Sequence, residues 1–506
     1  MVTRLERQPQ RSATRQISHF IDGVATHIPG VKSPVYNPAT GEVSGEVQFA
    51  SSDTVETVVA SARAGATRWR NATMAQRSGV LFRFRQLLLD HADELAALIT
   101  LEHGKTTPDA HGELARGLES VEYACGLSEL LKGSFSSQVA DGVDVHSLRE
   151  PVGVVVAITP FNFPVMVPLW MLANALAAGN AVIVKPSERD PSPSVRLGEL
   201  LTAAGLPDGV FSVVQGNADV VRQLITHPEV DAISFVGSTP VARSIYETGT
   251  QAGKRVQALG GAKNHMVVLP DADLDVAADS AINAAFGSAG ERCMAVSVVV
   301  AVGGIADALI DAISARMDRL TVGPGHEAGV DFGPVITRES RDRIAQHVVN
   351  AAADGVRIVR DGSDLVTRPG FFIGPCLLDG VRPGLASYDE EIFGPVLGVV
   401  RVADYASAVS LINNNPYGNG VAIFTRDGNV ARHFTRDVTV GMIGINVPIP
   451  VPVAAYSFGG WKDSLFGDAH IYGPEGLNFY TRGKVVTTRW PQASDSQIDL
   501  GFPRNN

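Results

Sequence analysis

Apolar positions change rhythm several times along the chain. From about Asp53 to Gly126 they recur at helical spacing among alanines and charged residues, which predicts a run of amphipathic helices. From Val152 to Val236 short β-branched runs (VGVVVAI, NAVIVK, VFSVV, DAISFV) alternate with helix-like stretches (MVPLWMLANALAAG, SVRLGELLTAAG, ADVVRQLITH). Strands that lack polar alternation are buried on both faces, so this region predicts βαβ units and a doubly wound parallel sheet with helices on either side. A second alternation follows LPDADLD. Helical DVAADSAINAAF, the strand VSVVVAVGG and helical IADALIDAISARMDRL open it, and further strands and helices run to about Gly444, predicting a second α/β domain. Near the end, LNFYTRGKVVTTRW alternates like a lone strand, which must find a partner; another subunit is one such host.

Composition narrows the partners. The 506 residues are 45% hydrophobic and 19% charged, an ordinary globular balance, and the net charge of −11 disfavours nucleic acid. Cys125, Cys293 and Cys376 are the three cysteines, an odd and sparse set that suits free thiols in a reducing, cytoplasmic setting. No apolar run reaches the roughly 18 residues needed to span a bilayer. The opening MVTRLERQPQRSATRQ is basic and polar without an apolar core, so it is no secretory signal; it reads as a disordered tail, with a transit peptide as the alternative. No metal-ligand set is assigned.

A doubly wound sheet binds its ligand at the carboxyl ends of its strands, so the residues following each strand are the candidates for chemistry. After DAISFV comes GSTPVARS. Gly237 permits close backbone approach, Thr239 suits an N-cap and Pro240 the first helical position, leaving amides that can face a pyrophosphate. After NAVIVK, Lys185 can reach phosphate or ribose and Glu188 can accept from ribose hydroxyls while repelling a 2′-phosphate, which favours NAD over NADP. In ITPFNFP, Asn162 stands between aromatics and prolines; its carboxamide is either an oxyanion donor or the cap of a helix opening at Pro164. GSAGERCMA gives Cys293 small neighbours, with Arg292 expected to lower the thiol pKa. In EEIFGPV, Glu391 and Phe393 can hold a ribose and press on a nicotinamide ring. Each pattern also has a bland reading as a turn, a cap or a buried thiol, and Cys125 and Cys376, in apolar settings, are given the last of these.

Taken in order, PFNFP, NAVIVKPSE, FVGST, the Leu-Gly-Gly stretch before Lys263, the nucleophile loop, EEIFGP and NPYGNGVAIFT resemble the aldehyde dehydrogenase superfamily from about Ile17 to Trp490. The resemblance implies that Cys293 attacks an aldehyde carbonyl and that Asn162 and the Cys293 amide hold the oxyanion. It also implies that Thr159, Phe161, Lys185, Glu188, Gly237, Ser238, Glu391 and Phe393 bind NAD. Two positions depart from the common pattern: Ala242 for Gly, and Phe161 for Trp.

One further departure bears on the reaction. Hydrolytic members carry a Glu that activates the deacylating water. In QALGGAKNH the matching residue is Leu259 if Lys263 is the anchor, or Ala258 if Leu-Gly-Gly is. Neither is a base, and losing one costs general-base catalysis about 10²–10⁴-fold. A thiol acceptor needs less help, which points to coenzyme A as co-substrate. GAKNH, ERCMA, NVPIPVPVAAYSFGGWKDS and the terminal LNFYTRGKVVTTRW resemble the acylating methylmalonate-semialdehyde dehydrogenase branch. That branch implies decarboxylation to acetyl-CoA or propionyl-CoA and assembly as a tetramer, a dimer being the alternative; a hydrolytic enzyme is the rival. A carboxylated substrate calls for cations, and Arg292 and Arg116 are the candidates. The expected organisation is a tail at 1–16, an NAD-binding domain at 17–137 and 152–270, a catalytic domain at 271–457, an oligomerisation element at 138–151 and 458–492, and a tail at 493–506.

Overall fold

A computed structural model describes the chain over residues 14–490 and at residue 498. The expected parallel sheet forms from the strands Val154–Ile158, Ala181–Lys185, Phe211–Val213, Ala232–Val236 and Arg255–Leu259. Val155, Ala157, Val182 and Val184 pack on one face, and Val154, Val156, Ile158 and Ile183 on the other. Alternate residues therefore enter two different cores, which is why these strands read as unbroken apolar runs. Helices Met74–Asp90, Thr107–Cys125 and Met166–Ala178 cover the first face, and Ser52–Arg70 and Thr239–Gln251 the second. Val154–Ile158 lies between Ala181–Lys185 and Ala232–Val236, with later strands added outward on each side. The strand order thus reverses at Val154–Ile158, and the crevice of the sheet opens beside it. Short antiparallel strands at His19–Ile21, Val24–Thr26 and Leu465–Phe466 extend the sheet to eight.

The second sheet has seven strands, centred on Val296–Val302 and Asn264–Val268 and parallel apart from the edge strand Arg357–Arg360. Here the expected boundary at 270 is corrected. Arg255–Leu259 belongs to the first sheet and Asn264–Val268 to the second, so the crossing falls at 260–263. Within RVQALGGAKNHMVV the crossing coincides with the Gly260-Gly261 pair and Lys263, which separate the two apolar stretches.

A third, three-stranded sheet contains Phe135–Ala140, Val143–Pro151 and Thr481–Arg489. The terminal strand therefore pairs within its own chain, in register with Val143–Pro151 over its whole length, and needs no other subunit as host. Leu477–Phe479 is helical rather than part of that strand, and the segment 458–472 returns to the first sheet and its neighbourhood through Leu465–Phe466. At the start, Arg15–Ile17 pairs with Glu42–Gln48, and Arg15 meets the buried Glu102, so strand structure begins inside the expected 1–16 tail. Residues 1–13, and 493–506 apart from 498, lie outside the described residues. No helix among the described residues is long and apolar enough to cross a membrane.

Candidate active site

The strand ends converge on a cavity of about 830 Å³, within the range usual for cofactor sites, about 300–1,000 Å³. Its wall brings together Thr159, Phe161, Asn162, Lys185, Glu188, Gly237, Ser238, Cys293, Glu391 and Phe393. A second cavity of about 340 Å³ contains Arg116 and Arg292 with Asp109, Phe163, Trp170, Met294 and Val451. Cys293 lies on both walls.

The helix after Val236 starts at Thr239 with Ser238, not Thr239, at the cap position, and no side chain caps it. Thr239 Oγ1 instead accepts from the Gly261 amide at 2.8 Å. The first-turn amides are left for an anion, to which the positive end of the helix is complementary. Across the cavity Lys185 is paired with Glu188 at 3.3 Å. Burial raises the Glu188 carboxyl, but Lys185, the Glu188 backbone amide and Arg189 together outweigh it and the pKa falls below the ordinary value. Thr159 Oγ1 is buried on this wall without a hydrogen-bond partner among the described residues. An orphaned hydroxyl, an uncapped helix start and a fixed carboxylate are what a dinucleotide's ribose and phosphates would satisfy.

Asn162 does not cap the following helix. That helix is Met166–Ala178, and its leading amides at Val165 and Met166 donate to Glu113 Oε1 at 2.8 and 3.0 Å. The Asn162 main-chain carbonyl accepts from Lys105 Nζ at 2.6 Å, and the residue is 3% exposed on the cavity wall. Phe161 is stacked on His103 and meets Phe393 edge-on at 5.8 Å.

The loop leading to Cys293 is strained. Ser288, Ala289 and Gly290 have φ of 55°, 52° and 75°. A Cβ on Gly290 would overlap the Gly394 carbonyl oxygen, so this loop and the Glu391–Phe393 loop touch by bare backbone. Phe393 is itself left-handed at φ 53°. Such strain persists only where the surroundings hold it. The Cys293 carbonyl accepts from the Asn264 and Asn419 carboxamides at 2.9 and 3.1 Å, and Lys263 Nζ donates to the Ser387 and Glu390 carbonyls.

The expected low thiol pKa is overturned. Burial, aided by the Glu391 carboxylate, pushes the Cys293 thiol up to about 12; the Cys293 and Met294 amides and Arg292 pull the other way and lose. Arg292 does not act as a free cation beside the sulfur, because it is held by Asp109 at 2.7 Å. Burial also lifts Glu391 to about 7, although it accepts from the Ala262 amide at 2.9 Å. Arg116 is tied to Glu119 at 2.8 Å and to the Val451 and Pro452 carbonyls, yet both arginines reach the second cavity. Ala258 and Leu259 are buried at the end of their strand.

Sequence reasoning passed over Lys105, Asp109, Glu113, Asn264 and Asn419. Asn264 and Asn419 lie inside quoted motifs. Asp109, Glu113 and Arg116 fall at i, i+4 and i+7 of one helix, a spacing that puts them on one face and was the available signal.

The arrangement offers a thiol between a dinucleotide-sized cleft and an arginine-bearing pocket. A family model described as the aldehyde dehydrogenase family matches residues 28–486. The malonate-semialdehyde dehydrogenase of Pseudomonas aeruginosa is 51% identical over 96% of this chain and 99% of its own. Malonate-semialdehyde dehydrogenase 2 of Geobacillus thermodenitrificans is 46% identical over 94% and 99%. The crystal structure of methylmalonate-semialdehyde dehydrogenase from Oceanimonas doudoroffii superposes with a TM-score of 0.94 at 52% identity, covering 95% of this chain and 99% of its own. A Sinorhizobium meliloti protein solved in complex with NAD gives 0.94 at 48%, covering 96% and 100%.

Proposed function

The chain belongs to the aldehyde dehydrogenase family, and from that premise we propose that it oxidises malonate or methylmalonate semialdehyde with NAD and passes the acyl group, after decarboxylation, to coenzyme A. The observation that carries this reading is the position of Cys293 on the shared wall of the two cavities, with both arginines in the smaller one. The larger cavity fits NAD: Lys185 and Glu188 would hold the adenosine ribose, the amides after Ser238 the pyrophosphate, and Glu391 and Phe393 the nicotinamide ribose and ring. Bound there, NAD supplies a hydride acceptor.

Arg116 and Arg292 orient the substrate carboxylate, and Cys293, its thiol proton passed to solvent, adds as the thiolate to the aldehyde carbon. The carbonyl electrons move to oxygen, where the Asn162 carboxamide and the Cys293 amide stabilise the charge. When this adduct collapses, the former aldehyde hydrogen leaves with its electron pair and a thioester to Cys293 remains. The β-carboxylate then departs as carbon dioxide, its bonding electrons entering the thioester as an enolate that a proton quenches. The coenzyme A thiolate attacks the thioester carbon and expels the Cys293 thiolate. Leu259 and Ala258 give water no base at the position hydrolytic members use.

One observation favours the hydrolytic rival. Glu391, at about 7 on the wall that carries Cys293, is a base of suitable strength. Each semialdehyde incubated with NAD, with and without coenzyme A, separates the two. The acylating reading expects sustained NADH and acetyl-CoA or propionyl-CoA only when coenzyme A is present. Sustained turnover to free acid without it would overturn that reading. The three-stranded sheet, with Phe135, Leu148 and Val485 exposed, is proposed as the oligomerisation element of a tetramer.

A further inference from the structure

Lys105 sits just after Gly104, between two helices, and its side chain is wholly buried. Its ammonium donates to Glu113 Oε2 at 2.8 Å and to the Asn162 carbonyl at 2.6 Å, and lies 4.3 Å from the centre of the Phe163 ring. Two strong acceptors and an aromatic face thus surround the cation. Glu113, equally buried, spends its other oxygen on the Val165 and Met166 amides. Among the described residues, the side-chain partners of this pair outside itself belong to one short segment, Asn162 to Met166.

A buried ion pair is a weak source of net stability, because desolvation cancels most of the attraction. What it supplies is geometry, since each hydrogen bond fixes a direction. Glu113 also shares its helix face with Asp109 and Arg116, and all three line the smaller cavity. The pair therefore joins the helix face that would meet the substrate carboxylate to the loop that carries the Asn162 carboxamide.

We propose that Lys105 and Glu113 are positioning residues that set the Asn162 carboxamide against the developing oxyanion, in register with the arginine-bearing helix. This rests on the oxyanion role given to Asn162 above. Lys105 touches no reacting atom; it acts through the Asn162 main chain.

A double-mutant cycle on the full-length enzyme with NAD tests it, read as the single-turnover rate of NADH formation and as KM for the semialdehyde. Lys105→Met is made together with Glu113→Gln, so that no unpaired charge is buried and the carboxamide oxygen of the substituted side chain can still meet the two backbone amides. In an otherwise native chain this pair variant is expected to slow NADH formation about 10–100-fold, with KM nearly unchanged. In an Asn162→Ala background the same change is expected to cost less than about twofold, because nothing remains to be positioned. An equal loss in both backgrounds would overturn the proposal, since a general loss of structure does not depend on Asn162. Should the pair variant not fold, Lys105→Gln goes through the same cycle with the same two outcomes. If Asn162→Ala alone keeps the native rate, the oxyanion assignment itself fails and the positioning role with it, a result distinct from equal losses in a slowed Asn162→Ala enzyme.

Discussion

At the scale of single residues, the setting of the Cys293 thiol favours its protonated form. With its pKa pushed up to about 12 by burial and Glu391, almost all of it is protonated at neutral pH. Alkylation by iodoacetamide without nucleotide should therefore rise about tenfold per pH unit from 7 to 10 without a plateau. Glu391→Gln removes a neighbouring negative charge, which disfavours the thiolate, so it should shift that profile toward lower pH and speed alkylation at fixed pH. A plateau near pH 8 in the native chain would contradict the burial argument. The arginines make a different prediction. Arg292→Met or Arg116→Met should raise KM for a carboxylated aldehyde about 10–100-fold, the scale of one charged hydrogen bond, and leave a plain aldehyde little affected. Equal losses for both substrates would remove their carboxylate role. Asp109 already holds Arg292, so on this reading a bound carboxylate would share that guanidinium with it.

At the scale of elements, the strands and the residues just after them were the most legible part of the chain. A strand packed on both faces is apolar at every position, and the turn that follows must use glycine, proline or a cap. What could not be read was pairing across distance. Lys105 and Asn162 lie 57 residues apart, and in sequence Lys105 is one more charge beside a helix. The cap at Ser238 was placed one residue late because Thr239 is an equally good capping type; its hydroxyl turned out to be taken by Gly261. The loop leading to Cys293 offers an element-scale test. Gly290→Ala combines a left-handed φ of 75° with overlap on Gly394, whereas Gly253, at φ 74°, has open space around its would-be Cβ. Gly253→Ala should cost only the backbone penalty, about 1–2 kcal/mol. Gly290→Ala should lower the melting temperature further and slow NADH formation; similar effects from both would mean the two loops do not depend on that contact.

At the scale of the whole molecule, the fold class was readable but its seams were not. The crossing between sheets falls at 260–263, where Gly260-Gly261 and Lys263 read as well as a turn within one domain as a seam between two, and Thr481–Arg489 finds its partner more than 300 residues earlier. The resulting sheet leaves Val485 69% exposed on an edge strand. If that surface assembles a tetramer, Val485→Lys should reduce the sedimenting mass while the isolated subunit keeps its fold; an unchanged mass would place the interface elsewhere. The central claim concerns one covalent bond, and it is tested most directly by mass spectrometry. The enzyme is mixed with NAD and malonate semialdehyde without coenzyme A, quenched in acid and digested. The account predicts a thioester-linked acyl group on the peptide containing Cys293, lost when coenzyme A is added as acetyl-CoA forms. Continued NADH production with that peptide unmodified at every time point would contradict it.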